Sequence, residues 1–229
     1  MCGRTSLFTP QPAIERSFEA RFETDYEPRY NVAPRDDLVV VHDADPGVLT
    51  TDEWGFVPEW ADDPTAGPRP INARAESIDE TPLFSAAFAS RRALVVADGF
   101  YEWRGERGSK RPYRVAREDG EPFAMAGLWS RLKGDGPSRT LAIATTAAND
   151  LIAPIHDRMP VVVPPDRETA WLDADASRAK DLLEPREYPA FETVPISTAV
   201  NDPENDSPAV VEPVEGHGGQ TGLGDFAGE

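Results

Sequence analysis

Phe123-Ala124-Met125-Ala126-Gly127-Leu128-Trp129 is an uninterrupted apolar run, and Thr140-Leu141-Ala142-Ile143-Ala144-Thr145 follows it closely. Short runs of this kind, bounded by turn residues, suit buried strands. Leu38-Val39-Val40-Val41, Ala93-Leu94-Val95-Val96-Ala97 and Met159-Pro160-Val161-Val162-Val163 have the same character. Helices are expected over fewer stretches: 12–20, 84–90, 149–155, 166–172 and 177–183. Asp166 or a neighbour is placed to cap the helix after Pro164-Pro165. Strands do not alternate regularly with helices, which argues against a doubly wound parallel sheet. The expected fold is α+β: one domain over residues 1–200 with a curled, mainly antiparallel sheet and short flanking helices.

From Asn201 the composition shifts to acidic residues, glycine and proline, with no basic residue. Residues 201–229 therefore read as a disordered acidic tail, with His217 a solvated linker residue. The whole chain has 229 residues, 39% of them hydrophobic, with five tryptophans and ten phenylalanines, enough for a well-buried core. No run reaches the roughly 18 apolar residues of a membrane span, and no signal segment opens the chain. A single cysteine excludes an internal disulfide framework and a cysteine-cluster metal site, so no metal and no cofactor are expected. A reducing cytoplasm is the simplest location.

The formal net charge is −18, and lysine occurs only at 110, 133 and 180. Diffuse acidity with scarce lysine resembles a solubility adaptation to high salt. It also argues against broad nonspecific binding of nucleic acid, so any such site must be local and built from arginine.

The lone cysteine is residue 2, in Met1-Cys2-Gly3-Arg4. Initiator methionine is commonly trimmed before a small residue, which leaves an α-amine and a β-thiol on one residue. The amine has an ordinary pKa of about 7.7–8.0 and the thiol one of about 8.5. Together they trap aldehydes, first as an imine and then as a thiazolidine ring. The plainer reading is an incidental cysteine at a frayed end.

Four polar positions at strand edges supply what a carbonyl condensation needs. Glu102, in Gly99-Phe100-Tyr101-Glu102-Trp103, and His156, in His156-Asp157-Arg158-Met159-Pro160, suit proton transfer. Asn72, in Asn72-Ala73-Arg74-Ala75-Glu76, offers an orienting amide, and Arg4 stands beside Cys2. Arg74 and Arg158 suit forked phosphate contacts. Trp54-Gly55-Phe56-Val57-Pro58-Glu59-Trp60 is an aromatic-rich turn, either core packing or a wedge that stacks on unpaired bases. Each has a bland alternative: a surface ion pair for Glu102, a satisfied hydrogen-bonding ring for His156, a turn former for Asn72.

These segments, with Tyr30-Asn31-Val32-Ala33-Pro34 and Ala126-Gly127-Leu128-Trp129, resemble in order the pattern of the SRAP (SOS-response-associated peptidase) family through about residue 200. The resemblance implies a sensor of abasic sites in single-stranded DNA. Cys2, exposed by loss of Met1, would condense with the ring-opened C1′ aldehyde and form a thiazolidine crosslink. It further implies that Asn72 orients the amine and sugar, that Glu102 acts as general acid and base, and that His156 assists proton transfer and crosslink reversal. Arg4, Arg74 and Arg158 would contact phosphates; Trp54, Gly55, Phe56, Asn31 and Pro34 would help hold the strand. The implied location is cytoplasmic, at the nucleoid when crosslinked. Competing readings are an N-terminal-nucleophile amidotransferase, a thiol peptidase with Met1 self-removal, and a noncatalytic single-stranded DNA-binding module.

Overall fold

The structure, a computed structural model, describes residues 2–62, 67–106, 108–132, 139–188 and 190–214. The elements run β1 (Thr5–Leu7), α1 (Gln11–Ser17), β2 (Arg21–Phe22), β3 (Arg29–Val32), β4 (Asp37–His42), β5 (Asp45–Trp54), β6 (Asn72–Arg74) and α2 (Ser85–Ser90). They continue with β7 (Arg92–Ala97), β8 (Gly99–Arg104), β9 (Arg111–Arg117), β10 (Phe123–Arg131), β11 (Arg139–Ala147), β12 (Arg158–Pro160) and β13 (Val162–Val163). Last come α3 (Glu168–Asp173), α4 (Ala176–Asp181) and β14 (Phe191–Pro195).

The runs that decide the fold form the middle of a nine-stranded sheet, in the order β12-β11-β10-β7-β4-β5-β2 with β6 on β11 and β13 on β10. Their continuous apolarity has a physical cause, because β10 and β7 are buried on both faces. On one face Leu94, Val96, Ala124, Ala126 and Leu128 pack under α1–α4, against Ile14, Phe88, Trp171 and Ala179. On the other, Val95, Met125 and Trp129 meet Phe100, Val115 and Val32 of a second, five-stranded sheet, ordered β14-β9-β8-β1-β3. The large sheet curls until the end of β5 pairs with β11, Glu53 opposite Thr140 and Trp54 opposite Leu141. The α+β class and the curled, mainly antiparallel sheet are therefore as expected.

The close approach of β7 to β10 requires Gly127, since a Cβ there would lie 2.7 Å from Val95 Cγ2 and 3.4 Å from the Ala93 carbonyl oxygen. A β-branched neighbour in a closed core cannot swing away, so Gly127→Ala is expected to destabilise by about 1–3 kcal/mol in denaturant melts. An unchanged midpoint would show that the two strands separate at little cost.

Three local expectations are corrected. Residues 149–155 form successive turns rather than a helix. Asn149 O accepts from Ile152 and Ala153, Ile152 O accepts from Ile155 and His156, and Pro154 between them has no N–H to donate. The run 159–163 is split between two strands at Val161, whose N–H reaches Ala144 on β11 while its carbonyl accepts from Ala126 on β10. No Asp166 side-chain bond caps the helical turn at Pro165–Arg167; the capped helix is α4, where Asp175 accepts from the Arg178 N–H.

The larger correction concerns residues 201–214, which belong to the folded body rather than to a disordered tail. Thr198–Asn201 and Pro208–Val210 are short 3-10 helices, and Pro213 bridges to Ile196. The Asp206 carboxylate binds Arg29 and accepts the backbone N–H groups of Tyr30 and Asn31 at 2.5 and 3.0 Å. Val200 and Val210 are buried with Tyr101 and Ile196 in a small apolar cluster. The rest of the expected tail, 215–229 with His217, lies outside the described residues. No helix among the described residues is long and apolar enough to cross a membrane.

Candidate active site

Cys2 lies at the mouth of the core between the two sheets, wholly buried among residues that include Val32 and Trp54. It is held from both sides. The Asn72 amide nitrogen donates to the Cys2 carbonyl at 2.8 Å, and two residues on, the Arg4 carbonyl accepts the Tyr101 N–H at 3.0 Å. Asn72 opens β6, which runs parallel to β11 with Asn72 opposite Ile143. Its other amide atom, Oδ1, is buried with no hydrogen-bond partner among the described residues. A buried acceptor is thereby kept available on the side chain that holds the Cys2 carbonyl.

Burial pushes the Cys2 thiol pKa well up, and the neighbouring Glu102 carboxylate pushes the same way. The thiol is therefore neutral at pH 7, and unassisted thiolate attack is not its chemistry. Glu102, on β8 opposite Tyr113 of β9, is 2% exposed, and burial raises its pKa to about 7. A carboxyl so poised donates and accepts a proton with equal ease near neutrality.

The turns at 149–155 deliver His156 to this neighbourhood. Asn149 fixes them, its Oδ1 accepting from Ile152 at 3.1 Å and its amide donating to the Arg186 carbonyl at 3.0 Å. His156 Nδ1 accepts the Arg158 N–H at 3.0 Å, which assigns the proton of the neutral ring to Nε2. Asp157 Oδ1 lies 2.9 Å from the same Nδ1, a pairing that needs a proton on Nδ1 and so competes with the Arg158 N–H, and the Asp157 carboxylate is exposed to water. Burial lowers the His156 pKa, so the neutral form prevails and the contact with the backbone N–H is the one that counts. Lys110, exposed in the β8–β9 hairpin, lowers the pKa of both Glu102 and His156 by its charge, as a smaller contribution than burial. It was missed as a site residue, although its rarity marks it in the sequence.

The residues expected to hold a strand divide. Arg74 is exposed on β6, and Pro34 is half-buried in the turn after β3. Arg158 lies beside the site but is paired in a fork with Glu76 at 2.5 and 3.0 Å and donates to the Thr145 carbonyl at 2.6 Å. That pairing holds the Glu76 pKa down. Arg4 spends Nη1 on Asn31 Oδ1 and the Val200 carbonyl, both at 3.0 Å.

Two expectations fail. Trp54, Gly55 and Phe56 are core rather than a wedge: the rings are 0% and 1% exposed, and Trp54 Nε1 donates to the Ile71 carbonyl. Gly55, at φ +146°, makes the turn that sends both rings inward. Asn31 is likewise 0% exposed, and its amide is consumed by the backbone of residues 200–205, so its side chain cannot touch DNA. The exposed ring of that aromatic turn is Trp60, 65% exposed. Among the described residues no group of three or more His, Cys, Asp or Glu is placed to hold a metal ion.

A buried cysteine at position 2 beside an amide and a buried carboxyl, on a curled sheet backed by a second sheet, defines a class. The family model described as SOS response associated peptidase (SRAP) matches residues 1–203, and the chain belongs to that family. The Bacillus subtilis (strain 168) abasic site processing protein YoqW is 38% identical over 223 residues, covering 93% of this chain and 99% of its own. YedK of Escherichia coli (strain K12), also named an abasic site processing protein, is 32% identical over 227 residues, covering 93% and 100%. The chicken (Gallus gallus) abasic site processing protein HMCES is 30% identical over 265 residues, covering 94% and 78%. A crystal structure of a Bacteroides thetaiotaomicron protein shares the fold, with a TM-score of 0.84 at 23% identity over 93% of this chain and all of that one.

Proposed function

We propose that this protein captures abasic sites in single-stranded DNA as a covalent thiazolidine. Loss of Met1 converts the Cys2 nitrogen to an amine, which adds to the C1′ aldehyde of the ring-opened deoxyribose. The carbinolamine loses water to give an imine, and the thiol then adds to the imine carbon while its proton leaves and the nitrogen is reprotonated. Atoms balance with water as the sole product besides the adduct. The observation that carries this reading is the wholly buried Cys2, its carbonyl held by the Asn72 amide and its thiol next to the buried Glu102 carboxyl. With the thiol protonated, the amine leads and sulfur closes the ring.

Protonated Glu102 delivers a proton to the departing ring oxygen and takes up the C1′ hydroxyl proton in exchange; it then gives that proton to the departing hydroxyl, which leaves as water, and its carboxylate receives the proton of the closing thiol. Asn72 holds the Cys2 backbone and offers Oδ1 to the amine. His156, through Nε2, moves protons in formation and in reversal. Arg74 and Pro34 line the strand's path, with Arg158 available if Glu76 gives way. Arg4 acts from within the protein and the Trp60 ring takes the stacking role; both are reassigned on their surroundings. The names of the relatives support abasic sites as the lesion.

The test is to incubate protein shown by mass to lack Met1 with a single-stranded oligonucleotide carrying an abasic site, then to run a denaturing gel. A heat-stable shifted band, absent with undamaged DNA, is expected; no band would overturn the reading. Trp60→Ala should weaken noncovalent binding of undamaged single-stranded DNA by about 1–3 kcal/mol without changing the melting temperature. Unaltered affinity in a titration would remove Trp60 from the interface.

A further inference from the structure

We infer that the segment Thr198–Asp206 is a positioning element for the reacting groups, acting on Cys2 through Arg4 and on Glu102 through its two neighbours. The inference rests on the reading of Cys2 as nucleophile and assigns that site a control element from the far end of the fold.

Asn31 is the hub of the Cys2 branch. Its Nδ2 donates to the carbonyls of Val200, Asp202 and Asn205 at 3.3, 2.9 and 2.9 Å, while its Oδ1 takes Arg4 Nη1 at 3.0 Å. Arg4 Nη1 reaches the Val200 carbonyl at the same distance. Asp206 locks the hub by accepting the backbone N–H groups of Tyr30 and Asn31. Arg4 is two residues from Cys2, and its backbone N–H works against the effect of burial on the Cys2 thiol. A shift of Arg4 therefore moves the nucleophile directly.

The Glu102 branch is as short. Tyr101 packs with Val200 and Val210 in a closed apolar cluster and donates its hydroxyl to the Tyr30 carbonyl at 2.5 Å. Trp103 Nε1 donates to Asn201 Oδ1 at 2.7 Å. The residues on either side of Glu102 are thus gripped by the segment that also holds Arg4. One element sets the distance between the acid–base group and the nucleophile, and misplacement of reacting groups by about 1 Å can cost on the order of 10²-fold.

The experiment compares Met1-free wild type with Asp206→Asn and, as the milder change, Asn201→Ala. Three rates or affinities are read: alkylation of Cys2 by iodoacetamide across pH, covalent capture of an abasic oligonucleotide, and binding of undamaged single-stranded DNA. Melting curves show that each variant is folded at the assay temperature. Expected are faster alkylation with an altered pH profile and capture slowed about tenfold or more, with DNA affinity within about twofold of wild type. Alkylation profiles and capture rates equal to wild type in both variants would overturn the inference, as would equal losses of affinity and capture. If wild type captures no abasic DNA, the proposed function fails while alkylation still decides whether the segment positions Cys2.

Discussion

Cys2→Ala protein, freed of Met1, is expected to give no heat-stable adduct with abasic DNA while still being captured on it by borohydride. The substitution keeps the α-amine and removes only the thiol. An amine and an aldehyde form an imine reversibly, and heating in denaturant returns the two partners. Sulfur makes the product last by closing the five-membered ring, and no other residue can replace it, because the chain has one cysteine. Borohydride reduces the imine carbon and traps the first half of the reaction. The pair of measurements separates the two nucleophiles of one residue. A heat-stable band of undiminished intensity from the variant would place the chemistry elsewhere. Because Cys2 is wholly buried, the truncation leaves a small void, and a melting curve checks that the fold survives.

Glu102→Gln is expected to slow capture by about 10²-fold or more, the usual scale of general acid–base catalysis. In wild type the capture rate should peak near pH 7 and fall on the alkaline side, where Glu102 loses the proton it must donate. The variant should lose that alkaline limb. The same substitution has the opposite effect on stability. The folded-state pKa of Glu102 lies above its unfolded value, so the folded protein holds the proton more tightly. That contribution is fully present below the unfolded pKa of about 4.3 and is lost as pH rises through about 7. Glutamine carries no such charge. At pH 8 the variant should therefore be the more stable protein, by at most about 4 kcal/mol at roughly 1.4 kcal/mol per pKa unit. At pH 4 the two should melt alike. A wild-type rate in the variant would remove Glu102 from the mechanism, and equal stability at pH 8 would mean that its carboxylate is solvated.

How much of this was legible follows from what each segment buries. β7, β10 and β11 stand out in the sequence because both their faces are covered, so no polar residue interrupts them. The five-stranded sheet was not legible. Strands such as Arg111–Arg117 and Arg29–Val32 carry arginine and tyrosine among apolar residues, and beyond the β8–β9 hairpin their partners, β14 and β1, lie far off in sequence. Composition misled at 201–214 because aspartate, asparagine and proline are there as backbone caps: Asp206 serves Tyr30 and Asn31, where a solvated tail would leave it to water. Trp54 and Phe56 misled in the other direction, since a turn residue at φ +146° hides two rings that a linear reading leaves exposed. Cys2, Asn72, Glu102 and His156 were legible as motifs. The Arg158–Glu76 fork and the field of Lys110 needed the fold, because they depend on which loops face each other.

The Arg4 contact with Val200 joins residues 196 positions apart. At a synthesis rate of about 5–20 residues per second, roughly 10–40 s separate the emergence of the two partners from the ribosome. Until Val200 arrives, Arg4 lacks one of the two acceptors of its Nη1, although Asn31, Asn72 and Tyr101 are already present to receive the first residues. Afterwards the contact fixes the Arg4 side chain between Asn31 and Val200. The fold thus checks its own completeness: a product that ends before Val200 lacks the carbonyl that fixes the Arg4 side chain.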